Sequence, residues 1–152
     1  MKRMTFFLLL FLVLGIAPAI WAAAEDEVAQ VTAQRIQAFN EGNLEAFMAT
    51  WADNATWFSV ASPFRVEGKE AIRAGFAGLF QNFPTRRYVG RQESIRVYGD
   101  TTAVATSHFT LVLVDRAGKA TTTHGRISVT YVKLGGKWMV VDQHASAIPA
   151  SM

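Results

Sequence analysis

The chain has 152 residues, of which 51% are apolar, no cysteine and a formal net charge of +3. That length suits one ordinary domain with a sizeable core, and the lack of cysteine excludes disulfides, a thiol nucleophile and a lipidated cysteine anchor. Lys2 and Arg3 belong to an apolar leader; without them thirteen cations face twelve anions, and the resulting net charge of +1 gives neither nucleic acid nor an acidic membrane surface an electrostatic hold.

The leader reads MKRMTFFLLLFLVLGIAPAIWAAAEDE. A basic start, an apolar run and the small residues Ala22, Ala23 and Ala24 form the pattern of a secretory signal peptide. Cleavage after Ala24 divides the chain into a signal peptide, 1–24, and an exported domain, 25–152, periplasmic or secreted and with no stable membrane association. The competing reading is a retained anchor, since the uncharged stretch approaches the roughly 20 residues that span a bilayer. Pro18 and the alanine cluster favour cleavage.

Over 26–40, Val28, Val31, Ile36 and Phe39 recur at helical spacing, and Gly42 supplies a stop. Asn43 then caps a second short helix that carries Leu44, Phe47 and Trp51. Residues 54–62 predict a short strand ended by Ser62-Pro63, and 69–80 predict a third helix with Ile72, Phe76 and Leu79 inward. Four long strands follow, at 87–98, 102–114, 121–134 and 137–148, separated by turn signals. Helices followed by a meander predict an α+β fold: a cone-shaped curved antiparallel sheet with three N-terminal helices packed on its concave face.

WADNATWF, EGKEAIR and GRISVTYVKLGGKWMVVDQHAS, together with the two helices before them, resemble the SnoaL-like branch of the nuclear transport factor 2-like superfamily over essentially all of 25–152. The last segment is also similar to the association domain of calcium/calmodulin-dependent protein kinase II, through Trp138, Val141, His144 and Ser146, with Arg126 matching an arginine on the preceding strand. The superfamily holds isomerases, cyclases, dehydratases, binding modules and oligomerisation domains, so the resemblance implies a fold and leaves the activity open.

Register follows from the hairpin loops. Arg116-Ala117-Gly118 and Leu134-Gly135-Gly136 both fit three-residue loops with glycine in the left-handed position. Counting back places His108 opposite Arg126 and Arg126 opposite His144, with Thr106, Ser128 and Asp142 one step along. Strand alternation puts Trp138, Val140, Asp142 and His144 on that same face, as a pocket with an apolar floor and a polar end.

Arg126 then offers a planar fork to an anionic ligand, unless Asp142 neutralises it. His108, Ser128, Trp57 and Trp138 complete the ligand wall, and Asp142 or His144 is the candidate catalytic base. Asp53 and Tyr88 stand near the expected cavity mouth, and His124 lies near a loop in solvent. A cation between the histidines disfavours a metal, and no cofactor motif is present. The first expectation is therefore an exported small-molecule-binding domain. The alternatives are a cofactor-independent isomerase, cyclase or dehydratase, or an oligomerisation module. A homodimer fits all three, because Met139, Val141, Ile127, Val129, Tyr131, Phe109 and Leu111 read as an apolar second face that another subunit would cover.

Overall fold

The computed structural model describes residues 4–149, with side chains from residue 23 onward. Helix α1 (Met4–Glu41) and the single turn α2 (Leu44–Met48) are followed by strand β1 (Trp51–Phe58), the short strand β2 (Arg65–Glu67) and helix α3 (Lys69–Asn82). The meander is β3 (Thr85–Tyr98), β4 (Thr102–Val114), β5 (Ala120–Leu134) and β6 (Lys137–Ala147). The expected leader, 1–24, lies almost wholly outside the described side chains. Among the described residues no helix is long and apolar enough to cross a membrane.

The six strands form one sheet in the order β2-β1-β6-β5-β4-β3, antiparallel throughout except where β1 runs parallel to β6. Asn43 caps α2 as expected, its side chain accepting from the Ala46 amide. Trp51 opens β1 rather than closing the helix, and β2 has no counterpart among the expected elements. Three residues are too few to show a hydrophobic period, so β2 exists only because β1 pairs with it.

The helices lie against one face of the sheet, and the core forms between them. Val28, Met48, Trp51, Ile72, Tyr131 and Val140 are fully buried there, and each contributes about 1.5–3 kcal/mol if its apolar surface leaves water. Phe39, Phe47, Phe76 and Phe80 interlock with ring centroids 4.6–6.4 Å apart, mostly edge to face.

Two side chains tie the helix ends to the sheet. Asn40, near the end of α1, exchanges hydrogen bonds with the Tyr88 backbone of β3, accepting from its amide at 2.6 Å and donating to its carbonyl at 3.1 Å. Arg86 donates to the carbonyls of Phe39 at 2.9 Å, Phe83 at 2.8 Å and Phe80 at 3.4 Å, and its guanidinium lies 4.2 Å from the Phe80 ring centroid. It thereby supplies a donor at the C-termini of both α1 and α3, where the Phe39 carbonyl also accepts from the Gly42 amide at 3.2 Å. Gly42 lies directly under this guanidinium with φ +77, and a β-carbon there would collide with it.

Register departs from expectation at one hairpin. Arg116-Ala117-Gly118 is the three-residue loop foreseen, with Gly118 at φ 81 and the Asp115 amide bonded to the Lys119 carbonyl at 3.0 Å. The β5–β6 loop is shorter: Leu134 pairs with Lys137, and Gly135 and Gly136 alone make the turn at φ 55 and 80. Positive φ at both central residues defines the two-residue turn that matches strand twist. The ladder then slips by one residue between Thr130 and Tyr131, where Val141 bulges out of β6.

The bulge reverses the alternation of β6 along its length. Trp138 and Val140 face the helices with their partners Lys133 and Tyr131, whereas Asp142, His144 and Ser146 face outward opposite Thr130, Ser128 and Arg126. The expected single face from Trp138 to His144 is corrected accordingly, and Arg126 sits opposite Ser146 rather than His144. Ile127, Val129, Tyr131, Phe109 and Leu111 also face the helices, so these five of the seven residues read as an apolar second face line the cone, whereas Met139 pairs with Val132 on the other side and Val141 is the bulged residue.

Replacing Arg86 with Met removes this donor from the Phe80 and Phe83 carbonyls and leaves the Phe39 carbonyl with the Gly42 amide alone. We expect this variant to lose about 2–4 kcal/mol of stability, as hydrogen bonds to a charged group are removed from partly buried acceptors. Urea unfolding should show a lower midpoint with an unchanged m-value; an unchanged midpoint would show that water replaces the guanidinium without loss.

Candidate functional site

The sheet separates two concavities. The larger, about 620 Å³, lies inside the cone between the helices and the inner sheet face. Its walls are mostly apolar, with Trp57 stacked on Phe76 at 4.4 Å and Tyr88 stacked on Phe109 at 5.4 Å. Its volume falls in the range of pockets that enclose small organic molecules.

One cation lies in that apolar wall. Arg35 projects from the inward stripe of α1, among Val28, Thr32 and Phe39, and retains 5% exposure. Its Nη2 donates to Gln143 Oε1 at 2.8 Å and its Nη1 to the Tyr131 hydroxyl at 3.3 Å. Thr32 Oγ1 spends its proton on the Val28 carbonyl at 2.9 Å, so the Tyr131 hydroxyl donates to Thr32, also at 2.9 Å. The polar chain thus runs one way, from guanidinium to phenol to hydroxyl to carbonyl. The phenol adds no negative charge.

Arg35 is consequently a buried cation that no carboxylate reaches among the described residues. The Phe47 and Trp51 rings each lie 5.2 Å from its Cζ, and such contacts with π-faces return only part of the lost hydration. Among the described residues, Arg35 Nε has no acceptor, and neither does the neighbouring Trp51 Nε1. Buried donors without partners are rare and expensive, and a buried charge without a counter-ion costs several kcal/mol.

Elsewhere in the cavity wall stand Ser107, Tyr88 and Glu93. Burial pushes the Tyr88 phenol up, with the Ser107 hydroxyl pulling the other way. Glu93 owes its position to a bulge in β3: Arg91 pairs with His108 and Ser94 with Thr106, leaving Gln92 and Glu93 together opposite Ser107. Gln92 takes the left-handed conformation, φ 53, which directs it to the outer face and Glu93 to the cavity. Desolvation holds the Glu93 carboxyl above its ordinary range; the residue is exposed, and solvent limits the effect.

The smaller concavity, about 410 Å³, lies on the opposite, outer face. Here the structure gathers His108, Arg126, Ser128 and His144, four of the residues singled out in the sequence. Asp142 is also outward but lines neither concavity, and its Oδ1 accepts a short hydrogen bond from Thr56 Oγ1. The Asp142–Arg126 ion pair does not form. His144 rests against Phe58, ring centroids 5.4 Å apart. Trp57 lines the inner cavity. Trp138 is buried on the inner face, where its Nε1 donates to Glu27 Oε2 at 2.7 Å; Lys133 Nζ reaches the same oxygen at 2.7 Å, and these two donors hold the Glu27 carboxyl below its ordinary range. Asp53 is exposed, 3.9 Å from Lys69. Among the described residues, no three His, Asp or Glu converge as metal ligands.

The inner polar group was missed, although Thr32 and Arg35 interrupt an inward apolar stripe and that interruption was readable. Gln143 was unreadable as an inner residue, because only the Val141 bulge turns it inward.

Comparison with known proteins agrees with this architecture. The SnoaL-like domain family matches residues 28–151. A structure from Xanthomonas campestris, described as a calcium/calmodulin-dependent protein kinase II association domain, is 25% identical with TM-score 0.74, covering 82% of this chain and 88% of that one. A nuclear transport factor 2-like superfamily protein from Salmonella enterica superposes with TM-score 0.77 at 19% identity, covering 86% and 95%. A protein described as a scytalone dehydratase, from Novosphingobium aromaticivorans, gives 0.77 at 15%, covering 84% and 86%. The last two are likenesses of fold alone. No curated protein matches significantly. An α+β cone of this topology, matched over nearly all of its folded length, makes the chain a member of the SnoaL-like domain family.

Proposed function

We propose that the inner cavity binds a small, mostly apolar molecule through an anionic end, and that the protein does this outside the cytoplasm once its leader is removed. Arg35 carries the reading: a buried guanidinium that no carboxylate reaches among the described residues, facing an apolar cavity, suits a carboxylate or an equivalent anion. Arginine presents its donors in a fork that a carboxylate fits. The stacked Trp57 and Phe76 pair supplies a flat wall for the apolar body.

A matched pair of probes tests this directly. 2-Naphthoate should bind at least about tenfold more tightly than neutral 2-naphthamide, which corresponds to the lower end of a charge-assisted hydrogen bond. Arg35→Met should erase that preference; it removes an unpaired buried charge but also takes the donor from Gln143 Oε1, so the two effects on apo stability oppose each other. Equal affinities for the two probes, measured by calorimetry, would defeat the proposal.

A second reading, proton transfer without a cofactor, draws on Glu93. A carboxyl held above its usual range beside a buried phenol is suited to taking a proton from carbon while a donor steadies the developing enolate. The fold likeness to a protein described as a dehydratase is compatible with it. Asp142 and His144 cannot serve as that base for a cavity ligand, since the sheet stands between. With 2-tetralone in heavy water, Glu93→Gln should lose a catalysed exchange of the C1 protons; no exchange above buffer in the parent protein would leave binding alone.

Export rests on Lys2-Arg3, the apolar run and the alanine cluster. Intact mass of the protein from its native host should give an N-terminus at or within a few residues of Glu25. A full-length chain held in the membrane fraction would refute it.

A further inference from the structure

We propose that the outer face of the sheet carries a second site, separate from the cavity, for a tetrahedral oxyanion such as phosphate or sulfate, free or as the terminal group of a monoester. The observation behind it is a convergence across adjacent strands. His108 on β4 lies directly opposite Arg126 on β5, and Arg126 directly opposite Ser146 on β6. In the next row Thr106 lies opposite Ser128 and Ser128 opposite His144. Directly opposed side chains on a sheet face start about 4.5–5.5 Å apart at Cβ, so an anion seated over Ser128 is within reach of donors from all three strands. The left-handed Gln92 brings an amide from a fourth strand to the edge of the same depression.

The chemistry of the lining selects the ligand. Guanidinium, hydroxyls, amide and imidazoles are all able to donate, and no carboxylate lines the depression. Of the outward acids, Glu67 pairs with Arg65, whereas Asp142 accepts only from the neutral Thr56 hydroxyl and keeps its charge, but it lines neither concavity. Arg126 has no carboxylate within ion-pair distance among the described residues, and neither do Arg87, Arg91 and Arg96, which pair with outward residues of β4. A site rich in donors with an unneutralised arginine fork suits a multiply charged oxyanion with several acceptor oxygens. It differs from the inner cavity, whose single buried cation and apolar walls suit a monoanion on an apolar body.

Those extra arginines raise the rival of a polyanion spread along the face, and the test separates the two. The protein as its host produces it is titrated with inorganic phosphate and with phenyl phosphate at constant ionic strength, with backbone amides followed by NMR. Saturable shifts confined to residues around 92, 106–108, 126–128 and 144–146 are expected. Arg126→Gln should weaken the binding at least roughly tenfold, as should His144→Asn to a smaller degree, while Arg35→Met leaves it unchanged. Similar affinity for both probes assigns the site to the free anion, and tighter phenyl phosphate to a monoester. Shifts that do not saturate, or that persist in Arg126→Gln, overturn the proposal. A single-stranded oligonucleotide that binds with steep salt dependence, spreads its shifts over Arg87 and Arg96 and outcompetes phosphate would likewise overturn it in favour of a polyanion surface.

Discussion

A buried guanidinium sets the terms for this fold. Arg35 sits inside a core of phenylalanines and tryptophans, where a lone cation costs several kcal/mol. That cost is comparable to everything two or three fully buried aliphatic side chains contribute. The fold tolerates it through a relay of neutral oxygens, Gln143, Tyr131 and Thr32, drawn from β6, β5 and α1. None of these brings a negative charge. The relay therefore holds the guanidinium in place without neutralising it, as a ligand site for an anion requires and a purely structural ion pair would not.

The position of that relay depends on the sheet's two irregularities. Without the extra residue at Val141, Gln143 would point outward and Arg35 would lose its shorter hydrogen bond. Without the left-handed Gln92, Glu93 would not share a cavity with Tyr88. Bulges of this kind re-aim single side chains while leaving the flanking ladder intact. The β3 bulge lies opposite Ser107, which lines both concavities, and sends Gln92 to one and Glu93 to the other; the Val141 bulge in turn sets Gln143 inward and His144 outward.

Element types and order were legible in the sequence because α3 and the four long strands show clear period and turn chemistry. The Arg116-Ala117-Gly118 loop fixed β4 against β5, and the pairs His108–Arg126 and Thr106–Ser128 followed from it. The Gly-Gly loop was ambiguous, because two glycines can close a hairpin by two residues or by three; the two-residue turn moves the register by one and would turn every later side chain over. The bulge at Val141 moves it by one again. His144 therefore returns to the face of Arg126, though opposite Ser128, while Trp138 and Val140, which precede the bulge, stay inside. Nothing in the local sequence marks Val141 as the extra residue, since a valine fits a regular strand equally well.

The separation of charges between the two faces bears on what the cavity can do. A molecule whose anion reaches Arg35 lays its body along the stacked Trp57 and Phe76 wall, within a space that Glu93 and Tyr88 also line. Held by one charged end, such a ligand loses its freedom to tumble, and orientation of this kind is what converts a nearby acid or base into an effective one. Binding and proton transfer are thus two uses of one geometry. On that reading the deep cation would serve both. On the proposed reading, the choice between them rests on whether a bound molecule would present an acidic C–H to Glu93, so the structure of the ligand, more than any further residue of the protein, would separate a carrier from an isomerase.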